Sequence, residues 1–205
     1  MSASALFWDS QQYYVDPETS LIDFDKLHAQ AQEFKPQIII AGTSAYPREL
    51  DYHRFRQICD DVGAYLMADM AHVSGLVAAQ EANDPFVYAD VVTSTTHKSL
   101  RGPRSGLIFS KKGEMSQKID QAVFPMLQGG PHNHQIAALA TQFKQVNTPE
   151  FKQYIRQVKT NARILGEELS KRGHRLVTGG TDNHLLVMEV KNLGLTGSKF
   201  EKMCD

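Results

Sequence analysis

Lys98 carries the clearest chemistry in this chain. It closes the run Val91-Val92-Thr93-Ser94-Thr95-Thr96-His97-Lys98, apolar and β-branched at its start and hydroxyl-rich at its end, and Gly102-Pro103 turns the chain just beyond. A strand that delivers a lysine into a polar turn loses stability unless the ammonium finds a partner. A carbonyl cofactor that takes the amine as a Schiff base is such a partner. A lysine considered alone is more often an exposed side chain. Here the Ser and Thr hydroxyls, with Arg101 and Arg104, make surroundings suited to a phosphate or phenolate.

Asp69 and His72 end another apolar run, Ala64-Tyr65-Leu66-Met67-Ala68. A buried carboxylate keeps a pyridinium nitrogen protonated, and that charge makes the ring an electron sink. Asp69 suits this role, and it equally suits the N-cap of a following helix. His72 and His97 could stack on or hydrogen-bond an aromatic cofactor, or act as general bases. A rival is a metal site drawn from Asp69, His72, His97, His132 and His134, although no tight metal motif such as HExxH occurs. Gly129-Gly130 before Pro131 is either a plain turn or a nest of bare N–H groups for a phosphate. Ser44 is open in the same way, as a turn hydroxyl or a cofactor contact.

The elements that position these residues read as alternating helices and strands. Phe24, Leu27 and Ala31 mark a short helix, and Gln37-Ile38-Ile39-Ile40-Ala41-Gly42 a strand buried on both faces. Phe55, Ile58, Cys59 and Val62 give an amphipathic helix from Leu50 to Val62 with Gly63 as its C-cap. Strands follow at Ala64–Ala68, Tyr88–Thr93 and Leu107–Phe109. Such a pattern predicts an α/β fold with a largely parallel sheet, whose chemistry collects beyond the carboxyl ends of the strands. Those ends carry Gly42-Thr43-Ser44, Asp69-Met70-Ala71-His72 and Thr95-Thr96-His97-Lys98. Past residue 112 the character changes. Thr148-Pro149-Glu150 opens a long amphipathic helix that stops at Gly173, His184–Val190 reads as another strand, and a helix begins near Gly197.

Composition narrows the function classes. The chain has 205 residues with 22 basic against 23 acidic side chains, so no basic stripe suggests nucleic acid or an anionic membrane. No apolar run approaches a membrane span. The only cysteines, Cys59 and Cys204, form no CxxC motif, which fits a reducing, cytoplasmic setting.

Taken together, these residues resemble serine hydroxymethyltransferase, a fold-type-I enzyme dependent on pyridoxal 5′-phosphate. The matching segments are residues 41–46, 65–78 and 95–104, with Phe124-Pro125, Gln128-Gly129-Gly130-Pro131 and Thr178–Leu185. The resemblance implies a fold-type-I large domain with a mostly parallel sheet and flanking helices, truncated at both ends. Residues 1–147 would be part of the cofactor-binding large domain, and 148–205 a connecting helix with the start of a small domain.

The same resemblance assigns roles. Lys98 would hold pyridoxal phosphate covalently and Asp69 would bind its pyridine nitrogen. Ser44 and His72 would contact its phenolic oxygen. Thr95 and His97 would lie beside the lysine, with Thr95 positioning the reacting amino acid. Gly130 would reach the phosphate of a neighbouring subunit's cofactor, which implies a dimer or tetramer, and Arg104 would wall the pocket. The implied reaction moves the hydroxymethyl carbon of serine to tetrahydrofolate, giving glycine and methylenetetrahydrofolate in one-carbon metabolism. An aldolase or aminotransferase on the same fold, or a non-catalytic chain that pairs with full-length subunits, are the alternatives.

Relative to the family pattern, a serine-containing phosphate loop and a ring-stacking histidine would lie upstream, and a carboxylate-binding arginine downstream. Met1-Ser2-Ala3-Ser4 resembles an internal family segment, so the chain reads as the central part of such an enzyme. Missing those groups removes affinity and orientation, and the chain by itself is expected to be impaired. An organellar parent stays open.

Overall fold

A computed structural model describes residues 3–205; the segment resemblance at Met1-Ser2 lies outside the described residues. Four strands form one sheet in the order β1 (Ile38–Gly42), β2 (Tyr65–Asp69), β3 (Val91–Thr95) and β4 (Gly106–Ser110). The first three run parallel and β4 returns antiparallel to β3. The expected mostly parallel α/β sheet is therefore present.

Alternation along the strands decides what each face does. Ile39, Ala41, Leu66, Ala68 and Val92 point into the main core, where they meet Leu27 and Ala31 of α1 (Phe24–Phe34) and Phe55, Ile58 and Cys59 of α2 (Tyr52–Val62). Both helices start where a side-chain oxygen relieves their unpaired N–H groups. Asp23 accepts from Lys26 N–H, and Asp51 from Arg54 N–H. Gly63 at φ 71° ends α2 as expected. The opposite face is bare: Ile38, Ile40, Tyr65 and Ile108 are each about half exposed. A parallel sheet is ordinarily covered on both faces.

A second cluster ties the rest to this sheet. Leu76 and Ala79, in and just after α3 (Ser74–Ala78), pack with Leu100, Val146 of α5 (Asn133–Val146), and Phe151 and Ile155 of α6 (Pro149–Lys171). Thr148 caps α6 by accepting from Phe151 N–H, with Pro149 in the first turn.

Three expectations need correction. The third strand starts at Val91 rather than Tyr88, because Asp84 accepts from Phe86 N–H and turns Pro85–Val87 into a 3-10 segment. Residues 184–190 do not form a strand. Val177 N–H donates to the Val187 carbonyl and Glu189 N–H to the Arg175 carbonyl, leaving one isolated bridge, Leu176 to Met188. Finally, the region after residue 112 holds two helices the pattern did not announce, α4 (Glu114–Gln121) and α5. The terminal helix α7 (Gly197–Cys204) forms as expected, capped by Thr196. Among the described residues no helix is long and apolar enough to cross a membrane.

Candidate functional site

Register places the chemistry in a row across the bare face. Gly42 pairs with Asp69, and Asp69 with Thr93, at the carboxyl ends of β1, β2 and β3. Side chains alternate along a strand, so Asp69, Thr93 and Thr95 share the face opposite the main core. Asp69 Oδ1 accepts from Ala71 N–H at 3.0 Å. It does not cap a helix, since α3 begins only at Ser74. The Thr93 hydroxyl is buried and has no hydrogen-bond partner among the described residues.

The turn after β3 is built around Thr96, which is fully buried. Its hydroxyl donates to the carbonyls of Pro103 and Ser105, and its own carbonyl accepts from Gly102 N–H at 2.7 Å. The flanking residues therefore turn outward to the site. Lys98 Nζ donates to Thr95 Oγ1 at 3.1 Å. Arg101 closes the turn at φ 59°, its N–H donating to the Lys98 carbonyl at 2.9 Å. Its guanidinium lies 4.4 Å from the Tyr154 ring centroid and 5.1 Å from that of Phe151, which anchors the turn on α6.

Ser99 joins this turn to the next element. Its hydroxyl donates to the His72 carbonyl at 3.1 Å and accepts from Gly75 N–H at 2.9 Å. The approach is close enough that a Cβ on Gly75 would lie 2.4 Å from the Ser99 carbonyl oxygen. Asp69, His72, Thr95 and Lys98 thus come together. The His72 imidazole sits below its ordinary titration range, first because it is partly buried and then because of the Lys98 charge, with the Asp69 carboxylate acting the other way.

His97 points differently. Arg104 donates to its Nε2 at 3.2 Å, and arginine has only donors, so Nδ1 carries the ring proton. That Nδ1 is buried and has no partner among the described residues. Ser44 is exposed just beyond β1, and Gly130 is exposed on the turn before α5. Neither hydrogen-bonds to the Lys98 cluster among the described residues, and His132 and His134 stack on each other 5.6 Å apart rather than joining Asp69.

A lysine held by a strand-end hydroxyl, a carboxylate on the next strand and unpaired polar atoms between them suit a ligand with an amine-reactive carbonyl and a basic ring nitrogen. The serine hydroxymethyltransferase family model matches residues 1–205. The chain belongs to that family. Serine hydroxymethyltransferase 4 of Arabidopsis thaliana is 55% identical over the whole chain, which covers 46% of that protein. A Bombyx mori serine hydroxymethyltransferase is 53% identical, again over the whole chain and 47% of the relative. A protein of Eremothecium gossypii named as mitochondrial serine hydroxymethyltransferase is 51% identical over 97% of the chain and 43% of its own length. The chain therefore spans a little under half the length of these serine hydroxymethyltransferases.

Two features of this family member escaped residue-by-residue reading. Thr93 reads in sequence as one more β-branched strand residue, and only the register shows that it borders Asp69. His184, inside the matched Thr178–Leu185 segment but given no role, is partly buried with an Nδ1 that has no hydrogen-bond partner among the described residues. Burial and the His72 charge both hold it below the ordinary imidazole range.

Proposed function

We propose that this chain carries the pyridoxal phosphate anchor of a serine hydroxymethyltransferase, transferring the hydroxymethyl carbon of serine to tetrahydrofolate in one-carbon metabolism. The observation that carries this reading is the contact between Lys98 Nζ and Thr95 Oγ1 on the sheet face shared with Asp69. The donor set fits the group. Gly42 leaves room beside Asp69, and the Thr93 hydroxyl and His97 Nδ1 are buried polar atoms in want of a partner.

In this reading Lys98 holds the cofactor through Nζ, and Thr95 Oγ1 orients that amine. Asp69 holds the proton on the pyridine nitrogen, with its second oxygen kept in place by the bond from Ala71 N–H to the first. When bound, pyridoxal phosphate supplies the electron sink that lets a bond at the α-carbon of an amino acid break. His72, kept toward its neutral form, hydrogen-bonds the phenolic oxygen with Ser44. Arg104 fixes the His97 tautomer and walls the same side. Gly130 serves the site of a second subunit, and residues 1–147 and 148–205 act as cofactor-binding and connecting units. The free cysteines fit a cytoplasmic setting.

A second reading, a subunit that acts only when paired with a longer chain of the family, is favoured by the bare apolar sheet face. One experiment tests the anchor. The purified chain is mixed with pyridoxal phosphate, reduced with borohydride and digested. Label on the peptide containing Lys98 is expected, and label on other lysines alone would reject the assignment. Adding serine and tetrahydrofolate, with and without a full-length relative, then separates the two readings.

A further inference from the structure

Arg101 is the fourth residue of the turn that carries Lys98, and its N–H closes that turn on the Lys98 carbonyl at 2.9 Å. At φ 59° it lies in the left-handed region, where glycine is the default and a side chain crowds the backbone. Gly102 comes only one residue later, so a long cation stands in the strained position beside the residue best suited to it. The conformation therefore needs a contact that offsets it.

That contact lies on α6. Phe151 and Tyr154, three residues apart, share one face of its first turns. Their ring centroids are 6.1 Å apart and their planes are inclined at 46°. The Arg101 guanidinium covers both, 5.1 Å from the Phe151 centroid and 4.4 Å from that of Tyr154. Phe151 is buried and packs with Leu100 in the second cluster, so the platform is fixed to the same turn. In sequence Arg101 and Arg104 suit an anion equally, and the structure separates them. Arg104 donates to His97, whereas Arg101 reaches away to the two rings.

The neighbouring residues are held by other bonds. The Leu100 carbonyl accepts from Gln142 Nε2 of α5 at 2.7 Å, and Gly102 N–H donates to the Thr96 carbonyl at 2.7 Å. These fix the chain on either side. The left-handed bend at Arg101 itself is what brings its N–H round to Lys98.

We propose that Arg101 is a positioning residue for Lys98. Its guanidinium, seated on Phe151 and Tyr154, holds the turn closed, and the closed turn keeps the Lys98 amine on Thr95 Oγ1. An open turn lets the Lys98 backbone rotate, and its four-carbon side chain carries that rotation to the amine. The effect on cofactor capture rests on the reading of Lys98 as the pyridoxal phosphate anchor; the hold on the amine does not.

Two labelling reactions on the full chain test this. Reductive methylation with formaldehyde and cyanoborohydride reads how freely the Lys98 amine moves, with exposed Lys112 as the internal reference. Borohydride trapping of pyridoxal phosphate reads its orientation. Arg101→Gly accepts the left-handed backbone but lacks the guanidinium, and Tyr154→Leu removes one ring without touching the turn. In both, Lys98 methylation is expected to rise about two- to fivefold relative to Lys112, the factor that an exposed cation–π contact represents. Pyridoxal phosphate label on Lys98 should fall by a similar factor. Arg101→Lys, which keeps a cation over the rings, should recover part of both.

The opposite directions separate positioning from general loosening, which raises both reactions. Wild-type methylation of Lys98 in both variants overturns the proposal, as does faster methylation with undiminished or increased cofactor label. Circular dichroism checks folding, and Tyr154→Leu carries the test should Arg101→Gly unfold. Faster methylation in the variants with no cofactor label on Lys98 in the wild type rejects only the cofactor reading and leaves the role of Arg101 standing.

Discussion

Gly42 and Asp69 stand opposite each other in adjacent parallel strands, and a methyl group on Gly42 would come within 2.8 Å of both the Cβ and the carbonyl oxygen of Asp69. The absence of a side chain at Gly42 is therefore what lets the two strand ends approach this closely. Gly42→Ala must push β1 and β2 apart or turn Asp69 away. Overpacking of this kind costs about 1–3 kcal/mol. Urea unfolding of the variant should show a loss of that size, together with weaker borohydride-trapped label on Lys98. Wild-type stability and labelling would mean that the strands separate without strain and that Asp69 does not depend on Gly42.

Thr96 organises the turn that presents Lys98, although it faces away from the site. Its hydroxyl is buried and reaches two carbonyls, those of Pro103 and Ser105. Thr96→Val keeps the shape and strands the Pro103 carbonyl, while the Ser105 carbonyl still accepts from Thr96 N–H; leaving a buried group unpaired costs about 1–3 kcal/mol. Thr96→Ser keeps the hydroxyl and should recover most of the loss. Equal stability of the Val and Ser variants in chemical denaturation would show that the Pro103 carbonyl finds another partner.

Stability should fall on mild acidification. His72 and His184 are both held below the ordinary imidazole value of 6.5 in the folded chain. The unfolded chain then binds protons first as pH drops. The contribution of these two rings is fully present above the unfolded value and is lost as pH falls through it toward the folded values. Urea midpoints measured from neutral pH downward should decline more steeply in the wild type than in a His72→Asn, His184→Gln double variant. Parallel declines would assign the loss to other groups.

The two cysteines should separate cleanly by reactivity. Cys59 is buried in the main core and its thiol is pushed up to about 11, first by that burial, while Cys204 is exposed on the last helix. Thiolate is the reactive form, so brief alkylation of the folded chain should modify Cys204 and spare Cys59 until denaturant is added. Equal labelling of both in the native state would mean that α2 opens readily from the sheet.

Much of the fold was legible in the chain itself, for a physical reason. Strands in a parallel sheet carry dense apolar runs, and the helices between them need caps. Ile38-Ile39-Ile40, Tyr65–Ala68, Gly63, and Thr148-Pro149 announce themselves on those grounds, whereas the Asp51 cap of α2 does not. Residues 184–190 misled because an apolar run becomes a strand only if a neighbour pairs along its length. Here only Arg175–Val177 pairs with it, while Leu186 packs against Gly166 of α6.

The site divides in the same way. Sequence alone determined that Lys98 lies just past one strand end, that Asp69 ends another strand, and that hydroxyls and histidines cluster at both ends, because those facts are local. The long matched segments also make the family recognisable from the chain alone. Only the tertiary structure decided that Gly42, Asp69 and Thr93 form one row, since register depends on how strands pair. The same holds for Ser99, which ties the lysine turn to His72, and for Arg48, which fastens Thr178 and Asp182 to the loop after β1. Such contacts join residues far apart in the chain, and no local pattern encodes a distance that folding alone makes short.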